Sequence, residues 1–297
     1  MSVDNNDDEI LIELIDEEIE EFRVFYKELD HLEFVHVHLY LKNHLRWNQM
    51  IAKMSEDESS QISDRCKMKF YKNRFGKLEN RSLIGITGDK EYSIFIMSLD
   101  KSELYQALMK TKLIKWHQLP LFVAVHRNFH ELMHEIFESK NVRVRIDNSC
   151  STMHMNKQET SNYDFSVPDN VEMRSLKVEN YKLMNDIWPY KYPGSECFIK
   201  SIIKLNGGLG VYKNDELLSW ILQVECFGLG FLQTLDEHQG KGYARLLTRT
   251  MARRIGLELN EDVILFASHS KPKTVDLYIR YGYKHVSHTH WFYLKQA

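Results

Sequence analysis

The sequence predicts an α/β fold of the α+β kind, a mixed twisted sheet flanked by helices, and three observations carry that expectation. Short apolar runs of strand character alternate with stretches of helical periodicity, most clearly in the second half of the chain. One of those strands runs into a short polar turn and two glycines that open a long helix, at Gly240-Lys241-Gly242. The composition is that of a globular chain: 297 residues, 43% hydrophobic, 12% aromatic and 27% charged, with 13 Gly and 5 Pro, which excludes collagen-like and disordered classes. At roughly 150 residues per domain, that length suggests about two domains.

Taken in order, residues 9–29 place Ile10, Leu14, Ile15, Ile19 and Phe22 at helical spacing with acids between them, behind a cap candidate at Asp7 or Asp8. The acidic face reads as a solvated helix surface rather than a site for a basic partner. Residues 56–64, EDESSQISD, read as a polar loop. Leu83–Thr87 and Tyr92–Met97 read as strands, Ser102–Thr111 and Asn128–Glu138 as helices. Residues 147–170 have almost no apolar periodicity and are rich in Ser, Thr, Asn and Asp, the composition of a linker. The expected division is therefore an N-terminal lobe at 1–150, a linker at 151–170 and a C-terminal domain at 171–297, with no internal repeat visible.

The C-terminal half predicts helices at Tyr181–Trp188 and Glu196–Leu205, then a hairpin of Leu209–Lys213 and Leu217–Val224 around Asn214-Asp215-Glu216. Gly228–Leu235 is a strand, Gly242–Leu257 a helix, Val263–Ser268 a strand, Thr274–Tyr281 a helix and His290–Leu294 a last strand.

Charge and composition exclude several functions. Lys+Arg 39 against Asp+Glu 42 gives a formal net charge of −3, so no global electrostatic case for nucleic acid exists. The apolar runs fall far short of the ~20 residues that span a bilayer. The acidic start, MSVDNNDDEILIELIDEEIEEF, is unlike a secretory or transit segment, so the expected location is cytoplasmic. Cys66, Cys150, Cys197 and Cys226 are far apart, without a CxxC pair, and read as four free thiols.

The strongest motif is LQTLDEHQGKGYARLLTRTMARRI, Leu232–Ile255. Glycines at the mouth of a helix let the backbone approach a ligand, and the unpaired N–H groups and dipole of the helix start face an anion. Lys241 lacks the Walker spacing, and Tyr243, Ala244 and Arg245 break GxGxxG. Arg245, Arg249 and Arg253 at i, i+4, i+8 read as a solvated helix face, with Arg245 within reach of a phosphate.

QGKGYA, Gln239–Ala244, resembles the Q/R-x-x-G-x-G/A pyrophosphate loop of the GNAT N-acyltransferase superfamily, and LYIRYGY, Leu277–Tyr283, resembles its L-Y-x-x-x-G-F element. Within that superfamily the chain is most similar to the glycine N-acyltransferase-like family, over Asn185–Trp220 and Thr234–Gly242, with an echo at Ala107–Trp116. The resemblance implies a V-shaped, mixed seven-stranded sheet holding an acyl-CoA co-substrate, with a diverged, non-catalytic GNAT-like N-terminal lobe. It places the pyrophosphate on the backbone of Gln239, Gly240, Lys241, Gly242, Tyr243 and Ala244, and an N–H of Thr234 or Leu235 on the thioester carbonyl. It makes Tyr278 the acid that protonates the departing thiolate. The implied reaction is direct attack of a small-molecule amine, an amino acid among the candidates, with no metal, nucleic acid or membrane involved.

Two departures stand out. The family's basic Glu falls at Gly228, which has no side chain; Glu225, three residues earlier, is the substitute. Lys271 stands where the superfamily often has Asn. The missing Glu gives the competing reading its force, a non-catalytic acyl-CoA-binding or interaction protein. A rival motif is His130-Glu131-Leu132-Met133-His134, which spells HExxH, the helical zinc pair with a Glu base of metalloproteases, and so offers a zinc metalloprotease as a further alternative. A catalytic zinc needs three protein ligands, and only Glu159, in the expected linker, or a repeat of the spacing at His126 offers itself. The expectation is accordingly a solvated amphipathic helix without metal. Gly207-Gly208, Gly228 and Gly230 read as turn and bulge glycines. Trp188, Tyr190 and Tyr192 either line an acceptor pocket or pack beside a proline turn.

Overall fold

The computed structural model describes residues 8–29, 31–161, 163 and 166–297, and the statements below concern those residues. The first half contains β1 (Leu11–Glu13), α1 (Asp16–Glu28), α2 (Val35–Ile51), α3 (Glu56–Ser60), β2 (Lys69–Asn73), β3 (Leu83–Ile86), β4 (Ser93–Met97), α4 (Lys101–Lys110), β5 (Leu121–His126), α5 (His130–Ser139), β6 (Val142–Met155) and α6 (Lys157–Thr160). The second contains β7 (Glu172–Ser175), α7 (Tyr181–Ile187), α8 (Ser195–Leu205), β8 (Gly208–Lys213), β9 (Glu216–Gln223), β10 (Leu229–Thr234), α9 (Tyr243–Arg254), β11 (Val263–Ser268), α10 (Pro272–Arg280) and β12 (Lys284–Gln296). No helix here is long and apolar enough to cross a membrane.

All twelve strands form one mixed sheet in the order β1-β2-β3-β4-β5-β12-β6-β11-β10-β9-β8-β7. It is larger than the seven-stranded sheet the resemblance implies, because the two halves exchange strands. β6 pairs with β11 of the second half, β12 pairs with β5 of the first, and the two long strands pair with each other from Val142↔Gln296 to His154↔Lys284. Only β4·β5 and β10·β11 are parallel, each pair bridged by a helix, α4 or α9. The halves therefore repeat one order of elements that the sequence does not reveal.

The expected elements of the second half form with small shifts at their ends, except that the last strand, expected at His290–Leu294, runs over Lys284–Gln296; α9 continues as a π-helical turn at Ile255–Leu259. Three expectations change, and one helix, α2, stands where the sequence raised none. The helix expected over 9–29 begins only at Asp16, since Leu11–Glu13 pair with β2 and Leu14 donates its N–H to the Phe70 carbonyl; Asp7 lies outside the described residues. Within the polar stretch 56–64, Glu56–Ser60 form a helical turn, because Ser55 and Glu58 cap it reciprocally. Residues 147–155, linker-like in composition, lie in β6 at the centre of the sheet. α2, unmarked by any amphipathic stripe, is buried on most sides with His36, His38, Asn43 and His44 inside.

α2 joins the halves. Asn43 donates to the Glu225 carbonyl at 2.7 Å, and Trp47 and Arg46 donate to Asn206 Oδ1 at 2.7 and 2.8 Å. Lys42 Nζ lies 2.5 Å and His38 Nε2 3.5 Å from the buried Glu261 carboxylate, with Lys27 at 3.9 Å. Burial pushes the Glu261 carboxyl up, but the hydrogen bonds from His38 and Lys42 and the charges of Lys42 and Lys27 outweigh it and hold its pKa at about 2, below the ordinary 4.5. A depressed carboxyl stabilises the fold above its unfolded pKa and loses that contribution as pH falls toward the folded one. Glu261→Gln is therefore expected to be less stable than wild type at pH 6, with the gap closing between about pH 4.5 and 2 in a urea-unfolding series; a gap independent of pH would contradict this clasp.

Candidate active site

The site grows from a break in pairing. β10 and β11 touch in register only at Leu229↔Leu265 and then part, while β10 stays on β9 with a bulge between Gly230 and Gln233, where Phe231 takes φ +54°. The bulge lies where the glycines of the sequence place it. Leu235 donates its N–H to the Leu218 carbonyl at 2.9 Å. Because N–H direction alternates along a strand, Thr234 turns its own N–H away from β9, toward the gap. Leu235, expected as an alternative donor to the thioester, is thus occupied, and Thr234 remains; its hydroxyl pairs with Ser219 at 2.7 Å.

At the end of that gap Gly240 and Gly242 take φ +75° and +82°, the left-handed region natural to glycine, with no atom within 4 Å of where a Cβ would stand. α9 starts at Tyr243 with Gly242 as its uncapped N-cap, one residue later than expected. The N–H groups from Gly240 to Arg245 find no acceptor among the described residues, whereas Gln239 bonds back to Asp236. Ser166, Lys241, Arg245 and Arg249 line the concavity in front of them, which holds about 310 Å³. A helix start with open donors and three cationic side chains fits a pyrophosphate.

On one face of the central strands lies a cavity of about 240 Å³ at the root of the gap. Its walls are mixed in origin: His36, Tyr40 and Arg65 come from the first half, Trp188, Tyr192, Glu225, Cys226 and Phe231 from the second. Trp188, Tyr190 and Tyr192 all line it. Arg65 Nη2 donates to Glu225 Oε1 at 2.6 Å, both largely buried, and its guanidinium lies 4.0 Å over the Phe198 ring. Burial alone would pull the guanidinium pKa down; the Glu225 carboxylate together with the Tyr192 and Tyr40 phenols outweighs it and raises the pKa. Glu225, the expected substitute base, is therefore ion-paired. Gly228 leaves no room for the Glu the family places there, since a Cβ would stand 2.9 Å from Cys226 Sγ and 3.1 Å from the Ile264 carbonyl.

All four cysteines are unpaired. Burial pushes the Cys150 and Cys226 thiols, both on the cavity wall, up to about 12, so neither offers a thiolate at neutral pH. Sequence reasoning missed Arg65 and His36, which no local motif marks. His36 is 1% exposed, lines the cavity and finds no partner for either ring nitrogen; burial and the neighbouring His126 pull its pKa to about 3, leaving it a neutral polar group there. Tyr278 sits on α10, not on the cavity wall, its ring 5.7 Å from that of Tyr283; burial pushes its phenol up and keeps it protonated. Lys271 caps α10 ahead of Pro272.

The HExxH pair stands elsewhere. Its expected lack of a third ligand does not hold, because β6 brings Asp147 to His130 at 2.8 Å. Neither Glu159 nor His126 joins the group of candidate ligands.

Comparison with known proteins agrees with this geometry. Residues 208–292 match the model of the FR47-like protein family, and residues 10–136 match DUF5645, a domain of unknown function. A Drosophila protein solved by X-ray crystallography is 25% identical over 97% of this chain and 99% of its own, with a TM-score of 0.87. A GCN5-related N-acetyltransferase from Kribbella flavida aligns at 10% identity and TM-score 0.51 over 73% of this chain and 88% of its own. A tandem GNAT protein from the clavulanic acid biosynthesis pathway aligns at 8% and 0.55 over 96% and 98%. No curated protein matches the sequence. The fold is that of the GCN5-related N-acetyltransferases, and the FR47-like match supports the GNAT superfamily.

Removing one partner of a buried ion pair strands the other charge, at about 3–5 kcal/mol. Glu225→Gln is expected to lose stability on that scale in guanidinium unfolding, and the paired change Arg65→Met with Glu225→Met to recover most of it. Equal losses in single and double variants would mean that the pair is not the clasp of this cavity.

Proposed function

We propose that the protein is an acyl-CoA-dependent N-acyltransferase acting on the amine of a small molecule, an amino acid among the candidates, and akin to the glycine N-acyltransferase-like enzymes. The observation that carries this reading is the parted β10/β11 pair ending in six N–H groups, Gly240–Arg245, that find no acceptor among the described residues. The backbone of Gly240, Lys241, Gly242, Tyr243 and Ala244 holds the pyrophosphate, with Gln239 shaping the turn. Thr234 N–H faces the thioester carbonyl, a fixed dipole where negative charge grows. The cavity, near the lower end of the roughly 300–1,000 Å³ usual for small ligands, suits a compact acceptor.

In the proposed step the neutral amine attacks the thioester carbon, forming the C–N bond and breaking C–S. Tyr278 gives the thiolate its proton. Glu225, whose Oε1 is held by Arg65, takes the amine proton through Oε2. With both wall thiols protonated, direct transfer is favoured over a cysteine acyl-enzyme. The ion-paired Glu225 and the vacant position at 228 keep a second reading in play, a protein that binds acyl-CoA without transferring the acyl group.

Gly242→Val cannot keep φ +82° without strain, so it turns the N–H groups away from the ligand. Calorimetry is expected to show at least tenfold weaker acyl-CoA binding with the fold unchanged by circular dichroism; equal affinity would remove the loop from the site. Tyr278→Phe retains the ring and loses only the hydroxyl. With an amine panel as acceptors, turnover is expected to fall by roughly 10²–10⁴ while acyl-CoA affinity holds. Turnover unchanged by that substitution would take the proton transfer from Tyr278, and binding without transfer to any amine would favour the non-catalytic reading.

A further inference from the structure

The HExxH pair lies on the other side of the sheet from the cavity. Asn148 and Trp291 line the cavity, and side chains alternate along a strand, so Asp147, His290 and Phe292 face the opposite way, under α5. There His130 and His134, one helical turn apart on α5, meet Asp147 of β6. The three offer ligand atoms that all lie within 4.8 Å of one another.

The arrangement around Asp147 is ordered in a way two stray surface histidines are not. His130 Nε2 lies 2.8 Å from Oδ2 and His290 Nδ1 2.7 Å from Oδ1, so the carboxylate is held from two sides. The His130 ring stands 4.7 Å from that of His134 and 4.4 Å from that of His290, and Phe292 closes the floor beneath both α5 histidines. The carboxylate is thereby fixed in orientation, with Oδ2 turned toward α5 and Oδ1 toward His290.

We propose that His130, His134 and Asp147 form a binding site for a first-row divalent transition metal, zinc being the ion this donor set favours. Two imidazoles and one carboxylate are a known zinc complement, at bonds of about 2.0–2.2 Å, with a fourth position left open to water. Donors that far from a tetrahedral ion sit about 3.4 Å apart, so His130 and Asp147 separate slightly, the ion replaces the proton between them, and the exposed His134 swings in. His290 remains on Oδ1 and orients the carboxylate from outside the ligand set. Bound there, the ion ties α5 to β6, the strand that crosses into the second half. This site is independent of the acyl-transfer reading, because it touches neither the gap nor the cavity.

The test uses the full chain stripped of metal and titrated with zinc chloride by calorimetry, beside His134→Ala, Asp147→Asn, His290→Ala and His117→Ala, the last an exposed histidine that is not one of the clustered ligands. Wild type and His117→Ala are expected to bind one zinc per chain with a Kd at or below about 10 µM, and to melt at higher temperature with zinc than without. His134→Ala and Asp147→Asn should bind at least 100-fold more weakly and lose the melting shift, and His290→Ala should lose roughly 10–100-fold, the usual cost of an outer partner. Circular dichroism and melting of the metal-free variants separate a lost ligand from a lost fold. Binding of zinc that survives both ligand substitutions, or no stoichiometric binding by wild type, would overturn the site.

Discussion

The antiparallel ladder between β6 and β12 is the constraint on which the rest depends. Each strand is sequentially the end of one half and spatially part of the other, with β6 on β11 and β12 on β5. Neither half can complete its sheet alone, and an unpaired central edge would leave a row of unsatisfied N–H and C=O groups. The halves are thereby one sheet, and the cavity takes its walls from both. Arg65 from the first half can meet Glu225 of the second only because this ladder fixes their separation. α2 reinforces the same junction through Asn43, Trp47 and the Glu261 clasp.

The candidate active site follows from the opposite condition, pairing that stops. A parallel pair held at one position leaves both strand edges with free groups, a condition the bulge at Gly230–Gln233 enforces by turning β10 away. The close backbone at Gly228 belongs to the same bend: its Cβ position is filled by Cys226 and Ile264, so an acidic side chain is sterically barred there. The carboxylate of this cavity then comes from the turn before the bend, at Glu225, and Arg65 neutralises it. The absence of an acidic side chain at 228 thus has a packing cause, and the carboxylate on the cavity wall is that of Glu225.

Much of the second half was legible because its strands alternate and its glycines stand where the chain turns left-handed. β6 was not, and its chemistry explains why. Asn148, Ser151, Thr152 and His154 are polar, yet they are satisfied sideways by Ser268, His269, Thr289 and Asp262, so burial there needs no apolar residue. A strand that buries hydrogen-bonded polar groups has the composition of a loop. α2 went unread for the converse reason, since a helix buried on most sides shows little of a stripe. The loop at Gln239–Ala244 and Tyr278 stand in local motifs, so a sequence can single them out as candidates. Arg65, His36 and Asp147 could not, because each gains its meaning from a residue at least 17 positions away or from a cavity wall built by both halves.

The repeat of elements raises the question of whether the first half carries a second coenzyme site, and its α4 answers in chemical terms. α4 stands between parallel strands as α9 does, but it opens on Asp100 instead of glycine. The Asp100 carboxylate accepts from the N–H groups of Ser102 and Glu103 at 2.8 and 3.1 Å, filling the donors that α9 leaves open. A fixed anion at a helix start both satisfies the N–H groups and compensates the dipole, so an incoming phosphate would meet repulsion where α9 offers attraction. The strands beside it agree. β4 and β5 stay paired at three positions, Ser93↔Leu121, Ile94↔Phe122 and Phe95↔Val123, where β10 and β11 hold register only at Leu229↔Leu265. Among the described residues, the start of α9 keeps its donors free where the start of α4 fills two of them with its own carboxylate, so the two helix mouths differ in the charge they would present to an anion.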